Sequence, residues 1–515
     1  MRKMFIINLI LALSIILLSA NTGMPPASTA LSGDFYVSPE GSDRNPGTEE
    51  KPWKTIQKAA NSVGPGSTVH IMAGTYYERV TINVSGVSAQ EPVVFRNYQG
   101  DKVVIDGSQS DASVQEDLIH IANQSYVKLV GLEIANNVNE DPAYFVAGIG
   151  IWGKGEGIEI RNCKVHGIRY TGPAGKSGAH GIAVYGRDGA EPISGLIIDG
   201  CEIWDIQCGL GEAVALSGNV RDFQITGNAI HDNDNTGVAL IGGGTFKGEP
   251  VCDGSDNMAR NGFVGKNRIE KNSRAGNKSF PGADYGAAGI YADGAKDIAI
   301  AYNECARNDI GIMAGSEAND ADCENIVIRN NVIYASNSCG IRVGGDARGG
   351  WASGCRVLNN TLYYNDKMKL GNGEISVVKS RDLLVSGNIF HAGGQNLCVS
   401  SEHFGKNNVY NIAFDNNLYY GPGGARGLRF KGADTGLVGL NMWKYHTKQD
   451  AGSKLADPKF ADAARDDFRL LQNSPAIDLC DPAYMPAEGE RDMDGNPRLI
   501  GKAVDCGAYE FILKE

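Results

Sequence analysis

The sequence predicts an all-β chain folded as a parallel β-helix, and three observations support this prediction. Short runs of apolar, often β-branched residues alternate with polar residues along most of the chain, as in strands with one buried side. Asparagine recurs directly after such runs at a nearly constant spacing. Glycine is abundant, with 68 of 515 residues, while proline and charged residues are ordinary in number, which indicates a folded chain rather than a disordered one.

The asparagine repeat gives the length of one coil. Asparagine follows a β-rich run at Asn162, Asn228, Asn303, Asn331, Asn360, Asn388 and Asn417. The last four intervals are 28, 29, 28 and 29 residues, and self-similarity of about 20 to 50 residues is typical of solenoids. A single coil cannot bury its own core, so we expect coils stacked as parallel sheets about 4.8 Å apart. We interpret the asparagines as structural, because their amides bond turn backbone and can bond one another.

The two ends of the chain depart from this repeat. Residues 1–30 combine a basic start, an apolar run and small residues, a pattern that predicts a secretory signal peptide and an extracellular protein. Residues 31–110 should hold an N-terminal cap and the first coils, with a capping helix from Trp53 to Val63, because an uncovered solenoid end exposes a strand edge. Residues 111–420 should form the main β-helix, and residues 421–515 the last coils and a C-terminal closing segment.

Charge and cysteine content narrow the range of partners. The formal net charge of −12 argues against nucleic acid, whose phosphates attract a basic face. The 11 cysteines include no CxxC pair, so a zinc site lacks its usual spacing. Buried free thiols are the simplest interpretation, although Cys480 and Cys506 are close enough in sequence to pair. We expect a monomer with a polysaccharide partner and no membrane contact after the signal peptide is removed.

Glycine-flanked strands between residues 148 and 346 supply the candidate functional face. Isoleucine and valine at alternate positions of these strands should point inward, and the residues between them outward. The outward set mixes rings, cations and carboxylates, which suits a sugar chain, because rings stack on sugars and polar groups bind hydroxyls. The predicted substrate-binding residues are Trp152, Tyr185, Arg187, Tyr291 and His180.

Asp293 and Glu317 form the most specific pair of acids. Aligning Ile290 with Ile312 places the two acids on neighbouring coils of the same face. One coil step and two residues along a strand would separate their carboxyl groups by about 5 to 9 Å. This range covers the carboxylate spacings of both retaining and inverting glycosidases.

A polysaccharide lyase would use the same face differently, with a base that removes the proton beside a uronate carboxylate. Lys247, Arg187 and Arg342 are candidate bases. Glu212 is a further candidate catalytic residue; it lies at a strand start, where the alternation of inward and outward side chains does not fix its direction. Calcium often acidifies that proton, and it takes about six to eight oxygen ligands. Asp232 and Asp234 in the motif HDNDN are the candidate calcium ligands; an ordinary asparagine-rich turn is the alternative.

The first part of the chain carries a family resemblance. Tyr36-Val37-Ser38, Gly41-Ser42-Asp43, Asn45-Pro46-Gly47-Thr48 and Gly74-Thr75-Tyr76 resemble the start of bacterial right-handed β-helix (pectin-lyase-like) proteins. Family 9 polysaccharide lyases and family 120 glycoside hydrolases begin in this way, and the middle of the chain looks like an uncharacterised branch of them. The resemblance implies a single-stranded right-handed coil and is specific for the fold rather than for the reaction.

The two families imply different sites. Similarity to family 120 hydrolases implies Asp293 as nucleophile and Glu317 as acid/base. Family 9 lyases carry a denser aspartate cluster around calcium, whereas here Asn233 and Asn235 alternate with the acids and Ala239 stands where another acid would be expected.

Three functions therefore remain open from the sequence. The first is a lyase that cleaves uronic-acid polysaccharide, such as pectate, by β-elimination, which family abundance favours. The second is a glycoside hydrolase that uses Asp293 and Glu317, which the acid pair favours. The third is a non-catalytic carbohydrate-binding surface protein, because a sugar-binding face does not require catalysis.

Overall fold

The chain winds through three parallel sheets, and each coil visits them in the same order. The structure, a computed structural model, describes residues 31–110, 117–246, 248–254, 256–282, 285–319, 321–345, 349–401, 409–432 and 435–513. Within these ranges, no helix is both long enough and apolar enough to cross a bilayer. The predicted signal peptide, residues 1–30, lies outside them.

The strands are short, as expected for coils that turn after every strand. The first sheet has 18 strands: Asp34–Val37, Thr68–Ile71, Val93–Asn97, Val127–Val130, Gly155–Glu156, Glu159–Arg161, Ile193–Ser194, Ile197–Asp199, Val220–Arg221, Gln224–Thr226, Ala259–Gly265, Lys296–Ala301, Cys323–Glu324, Val327–Arg329, Ala352–Ser353, Arg356–Leu358, Ser380–Ser386 and Val409–Asp415. The second sheet has 13 strands: Gly74–Tyr76, Val103–Asp106, Glu133–Ala135, Lys164–His166, Glu202–Trp204, Ala229–His231, Arg268–Glu270, Glu304–Ala306, Val332–Tyr334, Thr361–Tyr363, Ile389–His391, Leu418–Tyr420 and Lys454–Leu455. The third sheet has 13 strands: Val80–Ile82, Ile119–Ala122, Val146–Gly153, Ala179–Gly186, Val214–Gly218, Val238–Ile241, Ala288–Asp293, Ile310–Gly315, Cys339–Val343, Ile375–Val377, Leu397–Ser401, Arg429–Gly432 and the antiparallel Gly436–Val438.

A few elements lie outside the three sheets. Three strand pairs are formed by Val138–Asn139 with Arg169–Tyr170, Thr245–Phe246 with Glu249–Pro250, and Phe460–Asp462 with Asp467–Leu470. The α-helices are Ile56–Ala60, Gly424–Gly427 and Leu440–Thr447, and the 3-10 helices are Arg274–Gly276 and Ala463–Arg465.

The core is a set of aliphatic columns that run along the helix axis. In the third sheet, Ile290 pairs with Ile312, and Ile312 with Ile341, so that like residues stack from coil to coil. All three side chains are fully buried. Burial of one such side chain stabilises the fold by about 1.5–3 kcal/mol, which explains why the inward positions are almost all aliphatic.

The asparagine repeat forms a continuous ladder, with two corrections. Its members are Asn228, Asn267, Asn303, Asn331, Asn360, Asn388 and Asn417, each bonded through its side chain to the next. The regular spacing in the sequence did not identify Asn267 as a ladder residue, because an inserted loop lengthens its coil. It also placed Asn162 on the ladder, whereas Asn162 is exposed at φ 52° and the next residue, Cys163, is buried instead.

The N-terminal cap is present, with a shorter helix than predicted. The helix begins only at Ile56, because Thr55 caps it by accepting a hydrogen bond from the Lys58 amide. Trp53 instead forms a β-bridge with Val37, and its indole stacks on Phe35 at 5.2 Å. The helix packs against the first strands of the coil and covers the open end of the core.

The C-terminal part does more than close the last coil. The strand Gly436–Val438 pairs antiparallel with Arg429–Gly432, and helix Leu440–Thr447 packs Trp443 on Phe430 at 5.6 Å. Residues 457–513, here called the return segment, then run back over the second sheet. The sulfur atoms of Cys480 and Cys506 in this segment lie 3.7 Å apart, and all 11 cysteines are buried thiols.

Candidate functional site

The candidate site lies on the outer face of the third sheet, between two loops of one coil. Loop 242–258 leaves the end of strand Val238–Ile241, and loop 271–287 leads into the start of strand Ala288–Asp293. Lys247, the candidate base in the first loop, lies outside the described residues.

Glu212 lies at the centre of this face, just before strand Val214–Gly218. The side chain is 21% exposed, and the Nδ1 atom of His180 is 2.9 Å from the Glu212 carbonyl oxygen. Burial raises the pKa of Glu212 to about 8; the charges of Glu317 and Asp293 raise it too, while Arg274 opposes them. The carboxyl group is therefore protonated at neutral pH and able to donate a proton.

The two predicted acids occupy the expected coils. The register of Ile290 with Ile312 is confirmed, and it pairs Asp293 with Gly315, two residues before Glu317. The Glu317 amide donates a hydrogen bond to Asp293 Oδ1 at 2.8 Å. Three acids from three coils thus face one another closely enough for the charges of two to affect the proton affinity of the third.

Sequence reasoning missed Arg274, the cation of this site. It belongs to the 3-10 helix in loop 271–287, and its Nε donates to Asn235 Oδ1 at 2.8 Å. Its guanidinium carbon lies 4.0 Å from the ring centroid of Phe280. The one sequence signal that could have pointed to Arg274 is the length of loop 271–287, because a residue in a long loop can reach a neighbouring coil.

A raised pKa does not by itself identify a catalytic acid. Burial also raises the pKa of Glu374 to about 8, but this carboxylate is fully buried and accepts hydrogen bonds from the amide and side chain of Asn365. Glu374 is a core residue that ties two turns together. Glu212 differs because it is partly exposed and faces other charged groups on the outer face.

The aromatic pair on this face is not an open stacking platform. Trp152 and Tyr185 occupy the same register on adjacent coils and stack on each other, with centroids 4.6 Å apart and an interplanar angle of 9°. Trp152 Nε1 donates to Asp117 Oδ2 at 2.8 Å, and the Tyr185 hydroxyl lies 3.2 Å from His180 Nε2. Each ring therefore has one face covered by the other, and Tyr185 also contacts His180; substrate binding by the pair stays a prediction.

His180 supports the acid rather than the substrate. It is 1% exposed, and burial lowers the pKa of its ring to about 4, so the ring is neutral at ordinary pH. A neutral ring can donate from Nδ1 to the Glu212 carbonyl and accept from the Tyr185 hydroxyl at Nε2. This arrangement fixes the main chain that carries Glu212.

The remaining predicted residues lie around this centre. Tyr291 is 6% exposed and packs with Met313 and Ile310, so it also presents no open ring. Arg342 is the register partner of Met313 and lies on the outer face, one coil further along. Arg187 is exposed just beyond the end of strand Ala179–Gly186.

The structure does not bring Asp232 and Asp234 together as metal ligands. Asp232 is half exposed and pairs with His231 at 2.8 Å, while Asp234 accepts a hydrogen bond from the Cys208 amide at 2.6 Å. Among the residues that the structure describes, no three His, Cys, Asp or Glu side chains are grouped to hold a metal ion. These residues therefore do not fit a calcium site.

The HDNDN motif is instead part of a second asparagine ladder. Asn233 Nδ2 donates to Asn272 Oδ1 at 2.8 Å, and Asn272 Nδ2 donates to Asn308 Oδ1 at 2.9 Å. The alternative prediction for this motif, an asparagine-rich turn, is therefore confirmed.

Comparison with known proteins places this fold among polysaccharide-acting relatives. The family described as "Pel9A-like, right handed beta helix region" matches residues 35–189, and the family described as "Right handed beta helix region" matches residues 147–348. The uncharacterized protein YwoF of Bacillus subtilis (strain 168) is 34% identical over 484 residues, which cover 92% of this chain and 99% of YwoF.

Two pectate lyases share part of the sequence or the fold. Pectate lyase PEL9 of Emericella nidulans is 36% identical over 118 residues, which cover 21% of this chain and 28% of the lyase. The crystal structure of pectate lyase Pel9A superimposes with a TM-score of 0.50 and 15% identity, covering 94% of this chain and 98% of Pel9A. The last similarity confirms the predicted right-handed β-helix.

Proposed function

Because the chain belongs to the right-handed β-helix family of YwoF from Bacillus subtilis, a family related to pectate lyase, we propose that it is an exported enzyme that hydrolyses polysaccharide. The observation that carries this proposal is Glu212, a partly exposed acid with a pKa of about 8 that faces Asp293 and Glu317. A glycosidase needs one carboxyl group protonated and another ionised beside the scissile bond, and unequal environments create that difference.

The site suggests a role for each residue. Glu212 donates its proton to the leaving glycosidic oxygen. Glu317, whose charge acts more strongly on Glu212 than that of Asp293 does, supplies the ionised carboxylate. It takes a proton from a water molecule, whose oxygen bonds to the anomeric carbon as the bond to the leaving oxygen breaks. Asp293 positions Glu317 by accepting its amide hydrogen bond. These roles differ from those that the family 120 resemblance implied, because Glu212 has the raised pKa.

The sequence similarity to PEL9 favours a second candidate, β-elimination on a uronic-acid polymer such as pectate. On this face Arg342 is the described residue that could serve as the base. The two reactions leave different products, since elimination creates a double bond and hydrolysis consumes water.

We expect new reducing ends without ultraviolet absorbance when the purified mature protein is incubated with plant and bacterial polysaccharides. Both signals are followed together, with added calcium and with a chelator, and the chelator should leave the rate unchanged. Calcium-dependent absorbance would contradict hydrolysis and establish the lyase. Binding of a polysaccharide without either signal would instead indicate a non-catalytic carbohydrate-binding protein.

A further inference from the structure

A polar cavity lies beside the candidate site, at the edge between the second and third sheets. Its volume is about 310 Å³, and it is lined by residues that include Tyr170, Gln207, Asp234, Asn277 and Lys278. The first three come from successive coils, Tyr170 from the short strand Arg169–Tyr170, and the last two come from loop 271–287. Asn277 Nδ2 donates to the carbonyl oxygens of Gly209 at 2.7 Å and Asp234 at 2.9 Å, which holds the loop over the cavity.

The polar side chains around this cavity have little to bind within the protein. Among the described residues, the carboxyl group of Asp234 accepts hydrogen bonds from Cys208 alone, and the charge of Arg169 also acts on it. Within the described ranges, the side-chain amide of Gln207 and the ammonium group of Lys278 have no hydrogen-bond or ion-pair partner. Gln207 and Asp234 are half-buried and Lys278 is exposed, so the cavity presents an amide, a carboxylate and an ammonium that together can bind a ligand with several hydroxyl groups.

One short chain segment, residues 207–212, contributes to both the cavity and the acid site. Gln207 lines the cavity, and Glu212 follows five residues later. Burial, then the charges of Asp234 and Glu212, raise the pKa of the Cys208 thiol between them. Arg274, which acts on Glu212, comes from the same loop as Lys278, which lines the cavity.

We propose that this cavity binds one neutral sugar unit, a branch on a polysaccharide whose main chain lies across the acid site; this rests on the proposed function. Its volume is at the lower end of the roughly 300–1,000 Å³ typical of ligand sites, which suits a single ring rather than a chain. Asp234 and Lys278 carry opposite charges, so together they give the cavity no net attraction for an anionic uronate or a cationic amino sugar. A neutral sugar can accept from Lys278 and Gln207 and donate to Asp234.

The first experiment measures binding of free monosaccharides, so it does not depend on cleavage. Saturation-transfer NMR with neutral hexoses and pentoses should detect at least one ligand, and a uronic acid and an amino sugar should give no signal. We expect Asp234→Ala and Gln207→Ala each to weaken that binding about tenfold or more, as the loss of a hydrogen bond to a charged or polar partner would.

Asp232→Asn is the matched control, because asparagine tolerates the φ of 53° at this position. It removes a carboxylate two residues away in the same turn, but Asp232 pairs with His231 and does not line the cavity. Binding should be unchanged in this variant and in Glu212→Gln. Equal weakening by Asp232→Asn and Asp234→Ala would overturn the cavity proposal, as would the absence of any neutral ligand for the wild-type protein.

The second experiment separates this proposal from the proposed function. Asp234→Ala should lower kcat/KM on a branched polysaccharide and leave kcat/KM on its debranched form unchanged. If Asp234→Ala cleaves the branched and the debranched polysaccharide as fast as the wild-type protein does, and no monosaccharide binds, the cavity proposal is refuted and hydrolysis still stands. Monosaccharide binding in a protein that cleaves nothing would refute hydrolysis and leave the neutral-sugar site standing.

Discussion

Replacement of Glu212 by glutamine is expected to lower kcat on the cleaved polysaccharide by about 10²–10⁴-fold, the usual contribution of a general acid. Glutamine preserves the size and hydrogen-bonding capacity of the side chain but has no acidic proton to donate. The unfolding midpoint should stay near the wild-type value, because the side chain is partly exposed and the His180 ring 3.6 Å from its carboxyl group is neutral, so no ion pair is lost. Initial rates and urea unfolding on the same preparations measure both quantities.

The pH dependence gives this prediction a definite sign. Burial raises the pKa of Glu212 to about 8, so the donating form is present below pH 8 and is lost as the pH rises through that value. The wild-type rate should fall along this basic limb. Glu374→Gln is the control, because the pKa of Glu374 is also about 8 but the residue is in the core. A wild-type rate in Glu212→Gln, or the same rate loss in Glu374→Gln, would contradict the assignment.

Replacement of Asn331 by alanine should lower the free energy of unfolding by about 2–5 kcal/mol, because each buried polar group left without a partner costs about 1–3 kcal/mol. Asn331 Nδ2 donates to the Ile300 carbonyl at 2.9 Å and to Asn360 Oδ1 at 2.9 Å. Its Oδ1 accepts from the amide and the side chain of Asn303 at 2.9 and 3.0 Å. Urea unfolding measures the change.

Asn162→Gly is the control for the ladder. Asn162 is exposed, and glycine adopts its φ of 52° without strain, so the free energy of unfolding should change by less than about 1 kcal/mol. A similar loss in both variants would mean that an asparagine on the ladder is worth no more than one in an exposed turn.

The coil could be predicted because its signals are local. Alternation within one strand and the offset of Ile290 from Ile312 suffice to fix the register of Asp293 on the next coil. The interval fails where a loop is inserted: the step from Asn228 to Asn267 is 39 residues, outside the 28–29 of the regular coils. The sequence also could not show that Asn162 lies one residue before the ladder position, because an exposed turn residue and a ladder residue can both be asparagine.

The site was less predictable because its chemistry depends on burial and on loops. The orientation and the raised pKa of Glu212 arise from packing around a strand start, where the alternation of inward and outward side chains does not predict direction. Arg274 reaches the site from a loop whose path no periodicity describes. The stacking of Trp152 on Tyr185 could have been predicted from the sequence. Rings at the same register on adjacent coils are about one coil rise apart, which is a stacking distance.

The return segment changes how a solenoid of this kind unfolds. Coils that contact only their neighbours can fray one at a time from an end. Here Arg307 binds Asp466, Asn330 binds Glu490 and Thr361 binds Ala508, and further contacts reach Gly387 and Asn416. The last residues of the chain thus join turns of five successive coils, so the C-terminal half should open as one cooperative unit while the N-terminal coils remain free to fray. During synthesis, that half can become fully stable only after the return segment has been translated.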